Sequence, residues 1–434
     1  MNARFAFPSL LLIVLFSTQI AFANESAALL ARKAVSENAP EATAAIEELR
    51  ALGPGGLKAL MAEHAAEIKH HIADPKAVAG PEWQRITKAI DQVGQQKNNY
   101  ISGLYWYTNL EDAKRAAHES NKPILSLRLL GNLTDELSCA NSRFFRTVLY
   151  ANTDVAAVMS KFFVLHWQSV RPVPVITIDF GDGRKLERTV TGNSIHYILD
   201  SDAQLIEAMP GLYGPGAFRN GLSHSLMLFE KLAGKTGPNR RAALMGYYRD
   251  RSYQISSAWG SDTMQIGGKM PQGYAVYKGS NGEALAIGPL AVTKMATEST
   301  ILRSMTSVSE ALGRITDEAA WRKIAQLHIA NSKLDERSLA LIKSQNPSLS
   351  NDEMANMIRK FEELVALDTV RNEYMLHPKL YMLLSTDSLR QDLDKFNDHV
   401  YATLFLTPKS DPWLGLVSPD VYTAIDKGGI SKAQ

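Results

Sequence analysis

Residues Lys122 to Arg143 read KPILSLRLLGNLTDELSCANSR, and this stretch decides the fold. A Pro-led apolar run of strand length, Ile124 to Leu130, stops at Gly131-Asn132. A short polar stretch follows, and then Cys139-Ala140-Asn141-Ser142 opens a segment, CANSRFFRTVLY, whose Phe144, Phe145, Val148 and Leu149 share one helical face. Strand, loop and helix in that order, with the only cysteine of 434 residues at the junction, describe an α/β unit with a chemically distinctive corner.

Working outward, NTDVAAVMSKF starts with Asn or Thr as helix cap and places Val155, Val158, Met159 and Phe162 at helical spacing. FFVLHW reads as the next strand. PVITIDFGDGRKLERTV reads as a hairpin turning at Gly181-Asp182-Gly183, and SIHYILDSDAQLIEAM as a second turning at Ser201-Asp202. GPGAFRNGLSHSLMLFEKL closes the unit as a helix, so residues 100–234 form one α/β domain.

The flanks differ in pattern. Residues 24–99 are Ala-rich and helical, with Ala45, Ile46, Leu49 and Leu52 in phase and a Gly53-Pro54-Gly55-Gly56 break, the sign of a helical hairpin. Residues 235–434 are mainly helical: Leu302 to Leu312, Asp317 to His328 and Asp352 to Leu367 are expected helices, the last entered through a Ser350-x-x-Glu353 capping box. Gly260 to Leu290 is expected to be a long Gly-rich loop, and the tail FLTPKSDPWLGLVSPDVYTAIDKGGI has no clear period.

The first residues, MNARFAFPSLLLIVLFSTQIAFANES, carry one Arg, an apolar run and an Ala21-Phe22-Ala23 site, the three parts of a secretory signal peptide over residues 1–23. That run is shorter than the roughly 20 residues that span a bilayer. Export to a periplasmic or extracellular location is therefore expected, with no membrane span after cleavage. The full chain, 45% apolar and 21% charged with a net charge of +2, has an ordinary soluble composition and no basic, aromatic-interleaved stripe, which excludes the nucleic-acid-binding class. One cysteine cannot make an internal disulfide, so in an oxidising compartment it is either buried or available to a partner.

From Trp106 to Phe218 the chain resembles the secreted thioredoxin-like proteins. The resemblance rests on Trp106, EDAKRAAHESNKPIL, SCANSR, TDVAAVMSKFFVLHW and GNSIHYILDSDAQLIEAMPGLYGPGAF. It implies an α/β thioredoxin-like domain flanked by N-terminal and C-terminal mainly helical regions, with Cys139 at the place of the family's nucleophile. A cysteine opening a helix meets unpaired N–H groups and the positive end of the dipole, which favour thiolate. Arg143 and Arg146 add to that field; Asp135 and Glu136 oppose it.

Four departures restrict the chemistry. The resolving cysteine is Ser142, whose hydroxyl cannot release a mixed disulfide. The buried acid of the first strand falls on Leu127, the usual Trp before the nucleophile on Ser138, and the cis-proline facing it on Ser194, where a cis bond is far costlier, so the Asn193-Ser194 loop is expected to be remodelled. The residues Gln168 to Val190 also add a projecting β-ribbon beside the thiol face.

Two readings follow, neither using a cofactor. In the first, Cys139 is a monothiol forming mixed disulfides with a protein partner or small thiol, Ser142 at most donating a hydrogen bond to the sulfur. In the second, the protein is a non-catalytic binding or scaffold protein that docks a partner on the degenerate face of Ser138, Asn193 and Ser194. His64, Glu67 and His71 share a helical face but read as a solvated surface rather than a metal site. His166 and His196 lie in apolar strands as hydrogen-bonded core histidines, and Tyr105-Trp106-Tyr107 read as packing of the first element.

Overall fold

The computed structural model describes residues 25–189, 192–268, 312–313, 316–411 and 424. The expected signal peptide, most of the Gly260 to Leu290 loop, nearly all of the Leu302 to Leu312 helix, Val190 at the end of the ribbon and the end of the tail lie outside these residues.

A mixed five-stranded sheet organises the chain. Its strands are β1 (Trp106–Tyr107), β2 (Ile124–Leu130), β3 (Val164–Arg171), β6 (Ser194–Leu199) and β7 (Leu205–Pro210), in the order β1-β3-β2-β6-β7. β1 and β2 run parallel to β3, while β6 is antiparallel to both β2 and β7. The remaining two strands, β4 (Val175–Asp179) and β5 (Lys185–Thr189), pair only with each other as a separate ribbon. All seven residues of β2 are buried, as a central strand covered on both faces requires.

The β2–β6 register divides those residues between the faces: Leu127 stands opposite His196, and Ser126 opposite Tyr197. The Leu127 side packs under the cysteine helix and helix Pro215–Leu232; His196 sits between the Phe145 and Phe218 rings. The Tyr197 side is covered from far along the chain by helix Leu393–Thr403. There Tyr197 donates to Asn397 Oδ1 at 3.1 Å, and the buried Arg128 of β2 bonds Asp394 Oδ1 at 3.1 Å and Gln168.

The N-terminal region holds more than the expected hairpin. After a helical segment over 25–33 come Ala39–Ala51, Pro54–Glu63, Ala65–Ala73 and Pro81–Gly94, with the Gly53 break at a positive φ of 67°. Of the four in-phase residues, Ala45 and Leu49 are buried, whereas Leu52 is 52% exposed beside the turn. This bundle has its own core around Leu49, Leu60, Ile86 and Ile90.

The C-terminal helices have no such independence. Trp259, Trp321, Tyr374, Tyr381 and Tyr401 belong to the same continuous apolar core as the sheet, so residues 235–411 form a layer on the α/β unit. Helix Gly237–Gln265 takes in the first six residues of the loop expected from Gly260, because Trp259 and Thr263 are buried in that layer. The Ser350 capping box is present, at the head of helix Asn351–Arg371.

Candidate functional site

Cys139 occupies the N-cap of helix Ala140–Phe144, directly after the loop that follows β2. Its N–H donates to Leu130 O at 3.3 Å, and its sulfur accepts the Ser142 N–H at 3.4 Å. The expected hydroxyl-to-sulfur bond is absent: the backbone of Ser142 makes the contact, and its buried Oγ has no hydrogen-bond partner among the described residues. The helix continues into a π-helical turn, Phe145–Leu149, and the wider turn lets Phe144, Phe145, Val148 and Leu149 all enter the core.

The helix N-terminus does not make this thiol acidic. Cys139 is 0% exposed, and burial raises its pKa, outweighing the Ser142 and Leu130 backbone contacts and the Arg143 charge that act to lower it. The expectation of a favoured thiolate is thereby corrected: a partial dipole charge and one cation do not replace lost hydration of an anion.

Two parts of the chain pack around this corner. From the ribbon root, Thr189 Oγ1 accepts Arg143 Nη1 at 2.7 Å, the same guanidinium reaching Ser138 O at 2.9 Å. From the C-terminal layer, Tyr401 OH donates to Asn193 O and Asn193 Nδ2 to Thr407 Oγ1, both at 3.1 Å. Arg171 Nη2 adds a bond to Thr407 O at 2.7 Å.

The residues expected to dock a partner are thus spent internally. Ser138 is buried and receives Arg146 Nη1 at 3.3 Å, Ser194 is buried and receives Asn141 Nδ2 at 2.8 Å, and Asn193 is held by Tyr401 and Thr407. As an open docking face for another molecule, Ser138, Asn193 and Ser194 are closed, because all three are buried. No peptide bond among the described residues is cis, the one before Ser194 included.

The ribbon itself stands out from the body. Val175, Ile176, Ile178 and Phe180 are 39–54% exposed, so both faces of β4 are open to solvent. Only its root reaches the thiol face.

The histidines of β3 and β6 are core residues. His166 Nδ1 pairs with Ser126 Oγ at 2.8 Å and His196 Nε2 with Tyr150 OH at 2.6 Å; burial holds both imidazoles neutral, at pKa values of about 3. His71 stacks flat on Trp83 with ring centroids 3.8 Å apart, turned away from ligation. Among the described residues no three His, Cys, Asp or Glu side chains stand together as a metal site.

A second polar centre escaped the sequence reading. A π-helical turn, Asn372–Leu376, follows helix Asn351–Arg371 and sets Glu373, Tyr374 and His377 against a cleft of about 320 Å³. The facing walls are helix Pro215–Leu232 and helix Gly237–Gln265. His377 Nδ1 bonds Glu373 Oε2 at 2.8 Å, and its Nε2 stands 3.6 Å from Glu207 Oε1 of β7, an ion-pair distance. Tyr381 OH donates to Glu207 Oε2 at 3.0 Å, and Arg251 Nη2 lies 3.4 Å from Glu373 Oε1. Burial pushes the imidazolium toward neutrality, but Glu373 and Glu207 outweigh it and hold His377 up at about 9. The sequence signal was slight: a Glu373-x-x-x-His377 spacing on a helix, with its other partners over a hundred residues away.

The chain matches no family model, no curated protein and no solved structure.

Proposed function

We propose that this is an exported protein with a thioredoxin-type domain that serves as a scaffold and binding protein rather than as a thiol-disulfide enzyme. Two features support the fold reading: a parallel β1-β3-β2 half joined to an antiparallel β6-β7 half, and a cysteine at the head of the helix that follows the central strand. The observation that carries the functional reading is the complete burial of Cys139.

A thiol attacks a disulfide only as an exposed thiolate that approaches the target sulfur in line. Cys139 has neither the exposure nor the ionisation, and no second cysteine exists to complete a cycle. What the domain does instead is hold helical layers on both faces of its sheet while leaving the β4–β5 ribbon, with Ile178 and Phe180 outward, as the element a protein partner can grip.

The test is turnover. The full chain is assayed for insulin reduction and for exchange with a glutathione mixed disulfide, beside Cys139→Ser. Equal, background rates support a non-catalytic protein; a rate that the substitution abolishes restores the monothiol reading.

A further inference from the structure

The cleft beside the π-turn has the makings of a ligand site whose existence does not depend on the state of Cys139. Its size lies at the small end of the range for organic ligands. Met209, Ile255 and Val370 give it apolar lining, and basic side chains line it too.

Arg251, His377 and His328 all line the cleft, against Glu373 as the one lining carboxylate. The acids that balance two of those cations are not lining residues: Glu207 pairs with His377, and Asp262 accepts His328 Nε2 at 2.6 Å. Each of these basic groups thus has a carboxylate neighbour, but donors are left over. His377 is 4% exposed and its Nε2 has no hydrogen bond, 3.6 Å from Glu207 being too long for one; Arg251 Nε and the nearby Tyr247 OH are likewise buried without an acceptor. Buried donors without acceptors are costly and rare, and here they come from two elements around one cavity.

We propose that this cleft binds a small organic carboxylate, its acid group received by Arg251 and His377 and its apolar body lying along Met209, Ile255 and Val370. The carboxylate supplies, as charge-assisted bonds, the acceptors that these donors lack. A cationic or a neutral apolar ligand would leave the donors unpaired.

The experiment measures thermal stabilisation and calorimetric binding of the full chain with phenylacetate and hexanoate, against phenylacetamide and hexanamide. The expected result is that the carboxylates raise the melting temperature and bind with a dissociation constant of roughly 1 mM or below, the uncharged amides failing to do so. Arg251→Gln should weaken carboxylate binding by about tenfold or more, the loss of a charge-assisted hydrogen bond. Because Arg251 also supports Glu373, a second variant leaves every charge in place: Ala258→Trp fills the cleft from a lining position on an exposed part of helix Gly237–Gln265, and should abolish binding with an unchanged unliganded melting temperature. No stabilisation by either carboxylate, equal binding of acid and amide, or undiminished binding by Ala258→Trp would each overturn the proposal.

Discussion

At the scale of single residues, Cys139 shows how burial and a helix terminus compete. The terminus supplies one Ser142 N–H to the sulfur at 3.4 Å, yet the thiol is fully enclosed and its pKa rises. The sulfur then acts as a small apolar core atom. Replacement by alanine is expected to cost about 1–2 kcal/mol in chemical denaturation, the order of one lost buried heavy atom plus a weak cap, with unchanged circular dichroism. His166 and His196 make a second residue-scale prediction. Their folded pKa values, about 3, lie below the unfolded value near 6.5, so the unfolded chain binds protons first and stability is lost as pH falls from about 6.5 toward 3. His377 works in the opposite direction. Its folded pKa of about 9 lies above the unfolded value, so its contribution is complete below about pH 6.5 and is lost as pH rises through 9. Denaturant midpoints followed across pH 5–10 should show an alkaline decline that is blunted in His377→Gln; an identical decline in that variant would show that Glu207 and Glu373 hold no charged imidazole between them.

At the scale of elements, the ribbon and the capped helices show what sequence can and cannot disclose. Turn residues and alternation mark β4 and β5 plainly, because Gly181-Asp182-Gly183 leaves few conformations. Their exposure runs against the same pattern, since Ile176 and Ile178, continued by Phe180, make one face of β4 apolar. Replacing Ile178 and Phe180 by serine is expected to leave the melting temperature within the scatter of surface substitutions, about 0.5 kcal/mol, while raising solubility in a precipitation assay. By contrast Ser350→Ala removes a reciprocal cap at the head of helix Asn351–Arg371 and should cost about 1 kcal/mol by the same denaturation measurement. Helix Thr153–Phe162 shows the limit of periodicity: Val155 and Met159 are buried as their spacing requires, yet Phe162, one further step along, is 40% exposed at the helix end. The π-turns at Phe145–Leu149 and Asn372–Leu376 left no readable mark, because one residue per turn more changes which side chains meet without changing which are apolar.

At the scale of the whole molecule, what was legible is local and what was missed is distant. The strands and helices of residues 100–234 follow from adjacent residues, and so does the position of Cys139 at a helix start. The closure of that corner does not, because Tyr401 and Thr407 lie more than 250 residues beyond the thiol and nothing in their own sequence points back to Asn193. The same holds for the shared core, in which Trp259, Trp321 and Tyr401 join the sheet's apolar side chains and make the layer after residue 234 part of the α/β unit. Among the described residues no helix is long and apolar enough to cross a membrane. If the C-terminal layer is what seals the site, Tyr401→Ala should both lower stability, by the 3–5 kcal/mol typical of an aromatic removed from a core, and admit reagents to Cys139.

The most direct measurement is alkylation of Cys139 by iodoacetamide in the intact folded chain, followed by mass spectrometry from pH 6 to pH 9. The sealed-corner account predicts no adduct across that range and complete modification once denaturant is added. Rapid stoichiometric modification of the native protein, with a midpoint below the roughly 8.5 of a free thiol, would contradict it.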